Sequence, residues 1–298
     1  MTMNIKRHYV THVLLLMLVS LPANAQSSRF TVQEKDTIRR TLQFSGSANR
    51  MIELDNVFGS IHVAGTNGGS VEMVANRTIR AESQDRVRDA QRDVQLDVTD
   101  NAETVRIYVN GPFRCNCPNG SDGWRSFGTR WNDPGYRVDI DFDLTVPQGT
   151  KLRLRTVNSG DITVENTSGD FEVENVNGKI IMTDIRGSGR AETVNGRVTV
   201  SFAENPRSDS SFKSTNGAIE VSFQPNFSAN LQMKTFNGGL FTDFDVTSMP
   251  IPAGSGERVN GRFVYRSNRF SGFRVGSGGP EIKFDGFNGD VRVLRRTR

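Results

Sequence analysis

Cysteine and histidine are scarce in this chain. Its 298 residues include two cysteines, Cys115 and Cys117, and three histidines. Two cysteines are too few for the disulfide framework of a small secreted domain, and a closed tetrahedral zinc site would lack ligands. Cys115 and Cys117 are a candidate disulfide, although a bridge across one residue closes a tight ring. A free or intermolecular pair and a soft-metal site are the alternatives, both less favoured.

The few histidines also argue against catalysis. His8 and His12 lie near the N-terminus, and His62 stands between Ile61 and Val63 on the polar side of a predicted strand. Ser-His-Asp and Cys-His catalysis need a histidine that a second group orients, and no motif around His62 supplies one. We therefore expect a solvent-facing His62, no catalytic residue, no metal site and no cofactor.

Long apolar runs are missing after residue 21. The N-terminus has two basic residues, an apolar run over residues 13–21, and Ala23-Asn24-Ala25 before Gln26. This order is typical of a secretory signal peptide, and the run is too short for a bilayer core of about 30 Å. We expect residues 1–25 to be removed, leaving a periplasmic or secreted chain that starts at Gln26 and has no integral membrane segment.

A strong charge imbalance is missing as well. Removal of the signal peptide takes two of the 37 Lys and Arg residues, which leaves 35 against 33 Asp and Glu. This near balance of basic and acidic residues predicts no basic groove and no nucleic-acid partner. A C-terminal cluster of arginines is better explained by a solvated tail or a charged edge strand than by a polyanion site; it comprises Arg292, Arg295, Arg296 and Arg298.

What the chain does have is a recurring motif, in which an apolar residue or Thr precedes Asn-Gly and an alternating strand follows. Its copies are Val157-Asn158-Ser159-Gly160, Val176-Asn177-Gly178, Val194-Asn195-Gly196, Thr215-Asn216-Gly217, Phe236-Asn237-Gly238, Val259-Asn260-Gly261 and Phe287-Asn288-Gly289. Glycines recur every nine residues from Gly160 to Gly196, and Asn precedes every second one. The repeating unit is therefore two strands and two corners, 18 residues, with Asn on one edge.

Two all-β architectures fit this repeat. An antiparallel meander would use Asn-Gly as hairpin turns, since both residues accept positive φ. A parallel β-solenoid of two-strand coils would stack the Asn corners into one column and close its own core. We favour the solenoid, because the repeat region has no amphipathic helix to cover a meander. The predicted structural corners are Asn177, Gly178, Asn195, Gly196, Asn216, Gly217, Asn237 and Gly238.

The N-terminal part follows the repeat more loosely. Asp55-Asn56-Val57-Phe58-Gly59 and Gly69 each lead into a short strand, and apolar spacing over residues 82–94 predicts one short helix. We expect residues 26–50 to be an extension or leading strand. Residues 51–294 would form a single solenoid domain, with a loop insertion at residues 110–136.

The run from Leu144 to Ile162 carries a family resemblance. Leu144-Thr145-Val146-Pro147-Gln148-Gly149 followed by Val157-Asn158-Ser159-Gly160-Asp161-Ile162 resembles a family of bacterial adhesin-like domains of unknown function, also called toast-rack domains. The resemblance covers about residues 50–294. It implies a β-solenoid-like stack on envelope or secreted proteins, some linked to envelope stress, and it brings no catalytic residues.

Asp139, Asp141 and Asp143 alternate along one strand and share one face. Calcium binding and paired-carboxylate chemistry are possible uses of such a face. Lys151, Arg153 and Arg155 alternate along the next strand, so we expect cross-strand ion pairs between the two sets.

Aromatic residues and arginines concentrate in the loop over residues 110–136. Such residues are enriched at binding hot spots and suit flat sugar rings; a local mini-core, stapled by the cysteines, is the more favoured alternative. The candidate ligand-binding residues are Trp124, Arg125, Phe127, Arg130, Trp131 and Tyr136.

These patterns favour an exported, non-enzymatic adhesin-like or scaffold protein that binds protein or glycan at the cell envelope. The alternatives are a polysaccharide-active β-helix enzyme and an envelope-stress sensor. An aromatic groove flanked by two close carboxylates would favour the enzyme.

Overall fold

The computed structural model describes residues 29–46, 49–101, 103–114, 133–250, 256–259, 262–265 and 270–297. The predicted signal peptide, both cysteines and the aromatic candidates at residues 124–131 lie outside these ranges. In the part described, no helix is both long and apolar enough to cross a membrane.

Within these described residues, alternating apolar residues produce 23 strands, and one amphipathic segment forms a helix. The elements are β1 (Val32–Gln43), β2 (Met51–Asp55), β3 (Ile61–Thr66), β4 (Ser70–Ala81), α1 (Gln84–Asp93), β5 (Gln95–Asp100), β6 (Thr104–Asn110), β7 (Tyr136–Pro147), β8 (Lys151–Thr156), β9 (Ile162–Glu165), β10 (Phe171–Asn177), β11 (Ile180–Ile185), β12 (Gly189–Asn195), β13 (Val198–Phe202), β14 (Ser210–Asn216), β15 (Ile219–Phe223), β16 (Ala229–Lys234), β17 (Leu240–Thr242), β18 (Val246–Met249), β19 (Gly256–Val259), β20 (Arg262–Tyr265), β21 (Ser271–Val275), β22 (Glu281–Asn288) and β23 (Val291–Arg295).

Two facing sheets confirm the predicted parallel solenoid. Sheet 1 has the order β1-β4-β7-β3-β9-β11-β13-β15-β23-β17, and sheet 2 the order β18-β21-β16-β22-β14-β12-β10-β8-β2-β6-β5. A coil is one strand of sheet 2 followed by one strand of sheet 1, and neighbouring coils pair in parallel, as β10 pairs with β12 and β11 with β13. Antiparallel hairpins, as in the meander, are not used at these corners.

The inward side chains of both sheets form one continuous core. Ile162, Ile180, Val198, Ile219 and Val291 lie at equivalent positions of successive coils and are fully buried. Each coil thus covers the apolar face of the next, which no single 18-residue unit could bury alone.

The order of coils along the axis differs from their order in the chain. Strands β22 and β23 insert between the coil β14/β15 and the coil β16/β17. Asn288 therefore lies between Asn216 and Asn237, where the repeat predicts that Asn237 follows Asn216 directly. The spacing of motifs in the sequence carries no information about such an insertion.

The N-terminal part closes one end of the stack. Strands β6 and β7 form the coil before β2/β3. Beyond this coil, β5 pairs antiparallel with β6 in sheet 2. In sheet 1, β4 pairs antiparallel with β7, and β1 pairs antiparallel with β4. Helix α1, within the predicted residues 82–94, buries Val87 and Ala90 against this end. Strand β1 lies within the predicted leading segment 26–50; the division into domains stays a prediction.

Two interpretations of motifs are wrong. Strands β19 and β20, on either side of Asn260-Gly261, pair antiparallel with each other, so this copy of the motif is not a solenoid corner. The C-terminal arginines do not protect a sheet edge, because β23 lies between β15 and β17. Arg292 instead contacts Asp290 at 2.7 Å, and Arg296 pairs with Asp184.

Candidate functional site

Every coil turns from sheet 2 to sheet 1 at the same edge, and a side-chain hydrogen bond between coils closes the turn at Asn158, Asn177, Asn195, Asn216 and Asn237. The polar residue two positions before the corner Asn donates to a glycine carbonyl in the neighbouring coil. Examples are Thr193 Oγ1 to the Gly178 oxygen at 2.9 Å and Ser214 Oγ to the Gly196 oxygen at 2.8 Å. Thr156 and Asn175 occupy the same position and are also buried. This inner row of small polar residues recurs in the sequence with the Asn motif and could have been found there.

The corner glycines are required by close packing between coils. A Cβ on Gly196 would lie 2.1 Å from the Gly178 carbonyl oxygen, and one on Gly178 would lie 2.1 Å from the Gly160 oxygen. Gly178 and Gly196 do not adopt a left-handed conformation, whereas Gly217 has φ +156°. A side chain at the corner is therefore excluded mainly because the backbones of neighbouring coils are in direct contact there.

The corner asparagines form an asparagine ladder, with each side-chain amide bonded to the next. The ladder consists of Asn158, Asn177, Asn195, Asn216, Asn288 and Asn237, in spatial order. Nδ2 of each residue donates to Oδ1 of the preceding one at 2.7–2.8 Å. Five of the six side chains are exposed and Asn158 is half-buried. Each of the five amides that donate in the ladder uses one of its two N–H groups there, so the second can serve a ligand.

A groove of about 870 Å³ follows the ladder on its sheet 1 side. We call it the ladder groove. Its residues belong to four successive coils: Asp161, Asn177, Gly178, Lys179, Ile181, Asn195, Gly196, Arg197, Thr199, Asn216, Gly217 and Ala218. Asp161 Oδ1 accepts the backbone N–H of Lys179 at 2.8 Å, and its Oδ2 lies 3.7 Å from Lys179 Nζ. The structure describes no ionic partner for Arg197, which is exposed.

An exposed apolar row follows the ladder on its sheet 2 side. Val194, Phe287 and Phe236 each directly precede a ladder asparagine and are 41%, 47% and 58% exposed. The rings of Phe287 and Phe236 stack with centroids 5.1 Å apart. Large apolar side chains in an exposed row are typical of interaction surfaces.

The predicted loop over residues 110–136 begins and ends at this same edge, because it connects β6 of sheet 2 to β7 of sheet 1. Phe113, near its start, packs edge-on against Phe58 at 5.8 Å, and Phe58 pairs with the ladder residue Asn158. At its end Arg137 donates to the Ser159 hydroxyl and lies over the Phe58 ring. The predicted structural corners and the ends of the loop that carries the ligand-binding candidates thus share one edge.

A buried ion pair anchors the start of the loop. Arg114 Nη1 lies 3.0 Å from Asp55 Oδ1, and Arg114 also donates to the backbone oxygens of Asp55 and Val109. The side chains of Arg114 and Asp55 are 7% and 3% exposed. Burial raises the pKa of Asp55, against the opposing effect of Arg114 and Arg155. Within the described residues Asp55 Oδ2 has no hydrogen-bond partner, so nothing there offsets the desolvation that raises the pKa of this carboxyl.

Tyr136 is the one candidate ligand-binding residue that the structure describes, and it is buried. Its side chain is 3% exposed, and its hydroxyl donates to Asp93 Oδ2 at 2.9 Å. Burial is the main reason that the pKa of Tyr136 is raised. Tyr136 thereby joins the loop end to helix α1. Its role as a ligand contact stays a prediction, as do those of Trp124, Arg125, Phe127, Arg130 and Trp131.

The acidic strand and the basic strand do not pair with each other as predicted. Asp139, Asp141 and Asp143 lie on β7 in sheet 1, and Arg153 on β8 in sheet 2. Asp139 instead binds Arg80 at 2.8 Å, and Asp141 accepts from Ser60. The error follows from treating consecutive strands as sheet neighbours, whereas consecutive strands of the solenoid alternate between the two sheets.

Arg153 is held within sheet 2 by Glu53 at 2.8 Å and Glu172 at 3.1 Å. His62 is partly exposed, and its Nδ1 lies 3.2 Å from Asp143 Oδ1. In the described residues, no group of three or more His, Cys, Asp or Glu side chains is arranged to hold a metal ion.

Comparisons with known proteins relate this architecture to one family. Residues 140–249 match the family described as Toastrack DUF4097. No curated protein matches the chain.

Similar solved structures include a proposed cell adhesion protein from Clostridium sporogenes, 7% identical over 88% of this chain and 100% of that one, with a TM-score of 0.43. A proposed adhesin from Bacteroides fragilis is 10% identical over 88% and 97% of the two chains, with a TM-score of 0.34. A proposed lipid-binding protein from Parabacteroides distasonis is 8% identical over 88% and 97%, with a TM-score of 0.22. The family match covers the central coils, and it agrees with the resemblance noted from the sequence.

Proposed function

We propose that this chain is an exported, non-enzymatic adhesin-like protein that binds a protein or glycan of the cell envelope through its ladder edge. One observation carries the proposal: exposed amides, a groove and an exposed apolar row lie side by side along one edge of the solenoid. Solenoids commonly bind through such extended surfaces, because a repeated unit repeats its contacts.

Export is part of the proposal and rests on the N-terminal pattern of basic residues, apolar run and Ala23-Asn24-Ala25. A periplasmic and a secreted location are equally compatible with it.

The residues of the groove favour binding over catalysis. Hydrolysis of a polysaccharide uses a pair of carboxyl groups across the scissile bond. Asp161 is the one carboxylate among the residues that line the ladder groove, and it is already bonded to the Lys179 backbone. The enzyme alternative therefore receives no support from this site. A sensor of envelope stress would use the same surface for its ligand.

The test is binding of the purified protein to envelope fractions of its own host. Replacing both Phe236 and Phe287 by Ser should reduce binding at least tenfold, because these exposed rings supply apolar contact area to a partner. The matched control is Val246→Ser. Val246 is 39% exposed and lies on β18 in register with Val275 and Ala229, at the opposite end of β16 from Phe236.

Unchanged binding of the double variant, or an equal loss in the control, would refute the ladder edge as the binding surface. Absence of envelope binding by the unmodified protein would refute the function itself. Circular dichroism of all three proteins checks that the fold is retained.

A further inference from the structure

The ladder groove repeats its chemistry once per coil. Parallel strands of adjoining coils are about 4.8 Å apart, so Asn177, Asn195 and Asn216 present one amide each at that interval. The ladder bonds between them, 2.7 Å long, hold all three amides in one orientation. Hydrogen-bonded chains of this kind also polarise one another, which strengthens the remaining donors.

This interval selects the kind of polymer that can follow the groove. An extended peptide advances 3.3–3.4 Å per residue and alternates its groups between two sides, so its polar groups soon lose register with the ladder. A linear β-1,4-linked chain of hexopyranose rings advances by one ring length per sugar, close to one coil step. Successive β-1,4-linked rings face opposite ways, so such a chain offers each successive amide one polar group, alternately from the C2–C3 diol edge and from the C5 edge of the ring.

The floor of the groove suits a flat ring. Gly178, Gly196 and Gly217 have no side chains there. The backbones of adjoining coils are so close that a Cβ on any of the three would clash with a neighbouring carbonyl. A ring can therefore approach the backbone between the ladder amides and the side chains of Ile181 and Thr199.

The charges of the groove favour an acidic ligand. Lys179 is within 3.7 Å of Asp161, which neutralises it. Arg197 is exposed at the middle coil, and its guanidinium has no ionic partner among the residues that the structure describes. A guanidinium binds a carboxylate through two parallel hydrogen bonds.

We propose that the ladder groove binds a linear polyuronate, with one sugar per coil and a carboxylate on Arg197. The inference deepens the proposed function and depends on it, because it names the ligand of the same edge. Each sugar would meet one ladder amide, and the rings would lie over the corner glycines.

The experiment measures binding of a β-1,4-linked oligomannuronate to the purified full chain by calorimetry. Poly-glutamate of equal charge and a neutral cello-oligosaccharide serve as comparison ligands. We expect binding of the mannuronate alone, weakened by salt. Arg197→Gln should weaken it about tenfold, the typical loss for one charge-assisted contact. The control Arg207→Gln changes an arginine that is 89% exposed and outside the groove.

Equal binding of poly-glutamate would overturn the spacing argument, and an unchanged affinity of Arg197→Gln would overturn the assignment of the acidic group. If the protein binds envelope fractions but no mannuronate, this inference fails while the proposed function stands. If it binds neither, both fail.

Discussion

Replacing Gly196 by Ala tests the central feature of this fold, the contact between backbones at the ladder edge. The added Cβ would lie 2.1 Å from the Gly178 oxygen, 2.6 Å from its carbon and 3.0 Å from the Lys179 nitrogen. All three atoms belong to the backbone, so no side chain can rotate away. To reach an ordinary contact of 3.4 Å, the two coils must separate by about 1.3 Å at this corner.

Three hydrogen bonds cross that corner and would lengthen beyond their normal range. They are Thr193 Oγ1 to the Gly178 oxygen at 2.9 Å, Asn195 Nδ2 to Asn177 Oδ1 at 2.7 Å, and Ile180 N to the Arg197 oxygen at 2.9 Å. At about 1 kcal/mol each, their loss costs about 3 kcal/mol. The lower entropy of an unfolded chain with Ala returns about 0.4–1 kcal/mol. We expect a net loss of about 2–3 kcal/mol, or roughly 5–10 °C in melting temperature.

The measurement is thermal and denaturant unfolding of Gly196→Ala beside Gly69→Ala. Gly69 lies in a turn where an added Cβ meets nothing within 4 Å, so its replacement should be neutral or slightly stabilising. If both variants unfold with the stability of the unmodified protein, the close-approach argument is wrong. A loss in both would indicate a general sensitivity of the chain to Gly→Ala changes.

The remaining predictions concern the loop and the N-terminus. Arg114→Met should leave the buried Asp55 carboxylate without its ion pair and cost about 3–5 kcal/mol. Because burial raises the pKa of Asp55 and the variant raises it further, the loss in denaturant unfolding should be largest at neutral pH and shrink as acid protonates the carboxyl; a pH-independent loss would contradict this. Replacing Trp124 and Trp131 by Ala should abolish envelope binding with little change in melting if the loop recognises a ligand. A loss of about 3 kcal/mol or more, with binding per folded molecule preserved, would show packing instead. N-terminal sequencing of the exported protein should read from Gln26, and a native chain that starts at Met1 would refute export by signal cleavage.

The sequence alone predicts the solenoid well, because its signal is local. Apolar residues alternate after each Asn-Gly, and the same corner returns after 18 residues from Asn177 to Asn195. A polymer with these two periods buries its apolar faces only when the units stack. The helix within residues 82–94 is equally local, since its apolar spacing and the N-cap Ser83 both lie within a few turns.

Long-range features could not be predicted in the same way. Nothing in the motif around Asn288 distinguishes a last coil from an inserted one, because both bury the same faces. The acidic residues on β7 and the basic residues on β8 are adjacent in sequence, yet they lie on opposite sheets. The anchor between Asp55 and Arg114 joins residues 59 positions apart, and only the paired register of β2 and β6 brings them together.

The placement of β22 and β23 has a consequence for the order in which the protein is assembled. In a simple repeat array each new unit docks on the previous one as the chain lengthens. Here residues 229–242 have no neighbouring coil to dock on until residues 281–295 have been made and laid against β14 and β15. Strands β22 and β23 thus bridge two coils that precede them in the chain. A chain that lost these two strands would lose the contacts of two coils instead of one.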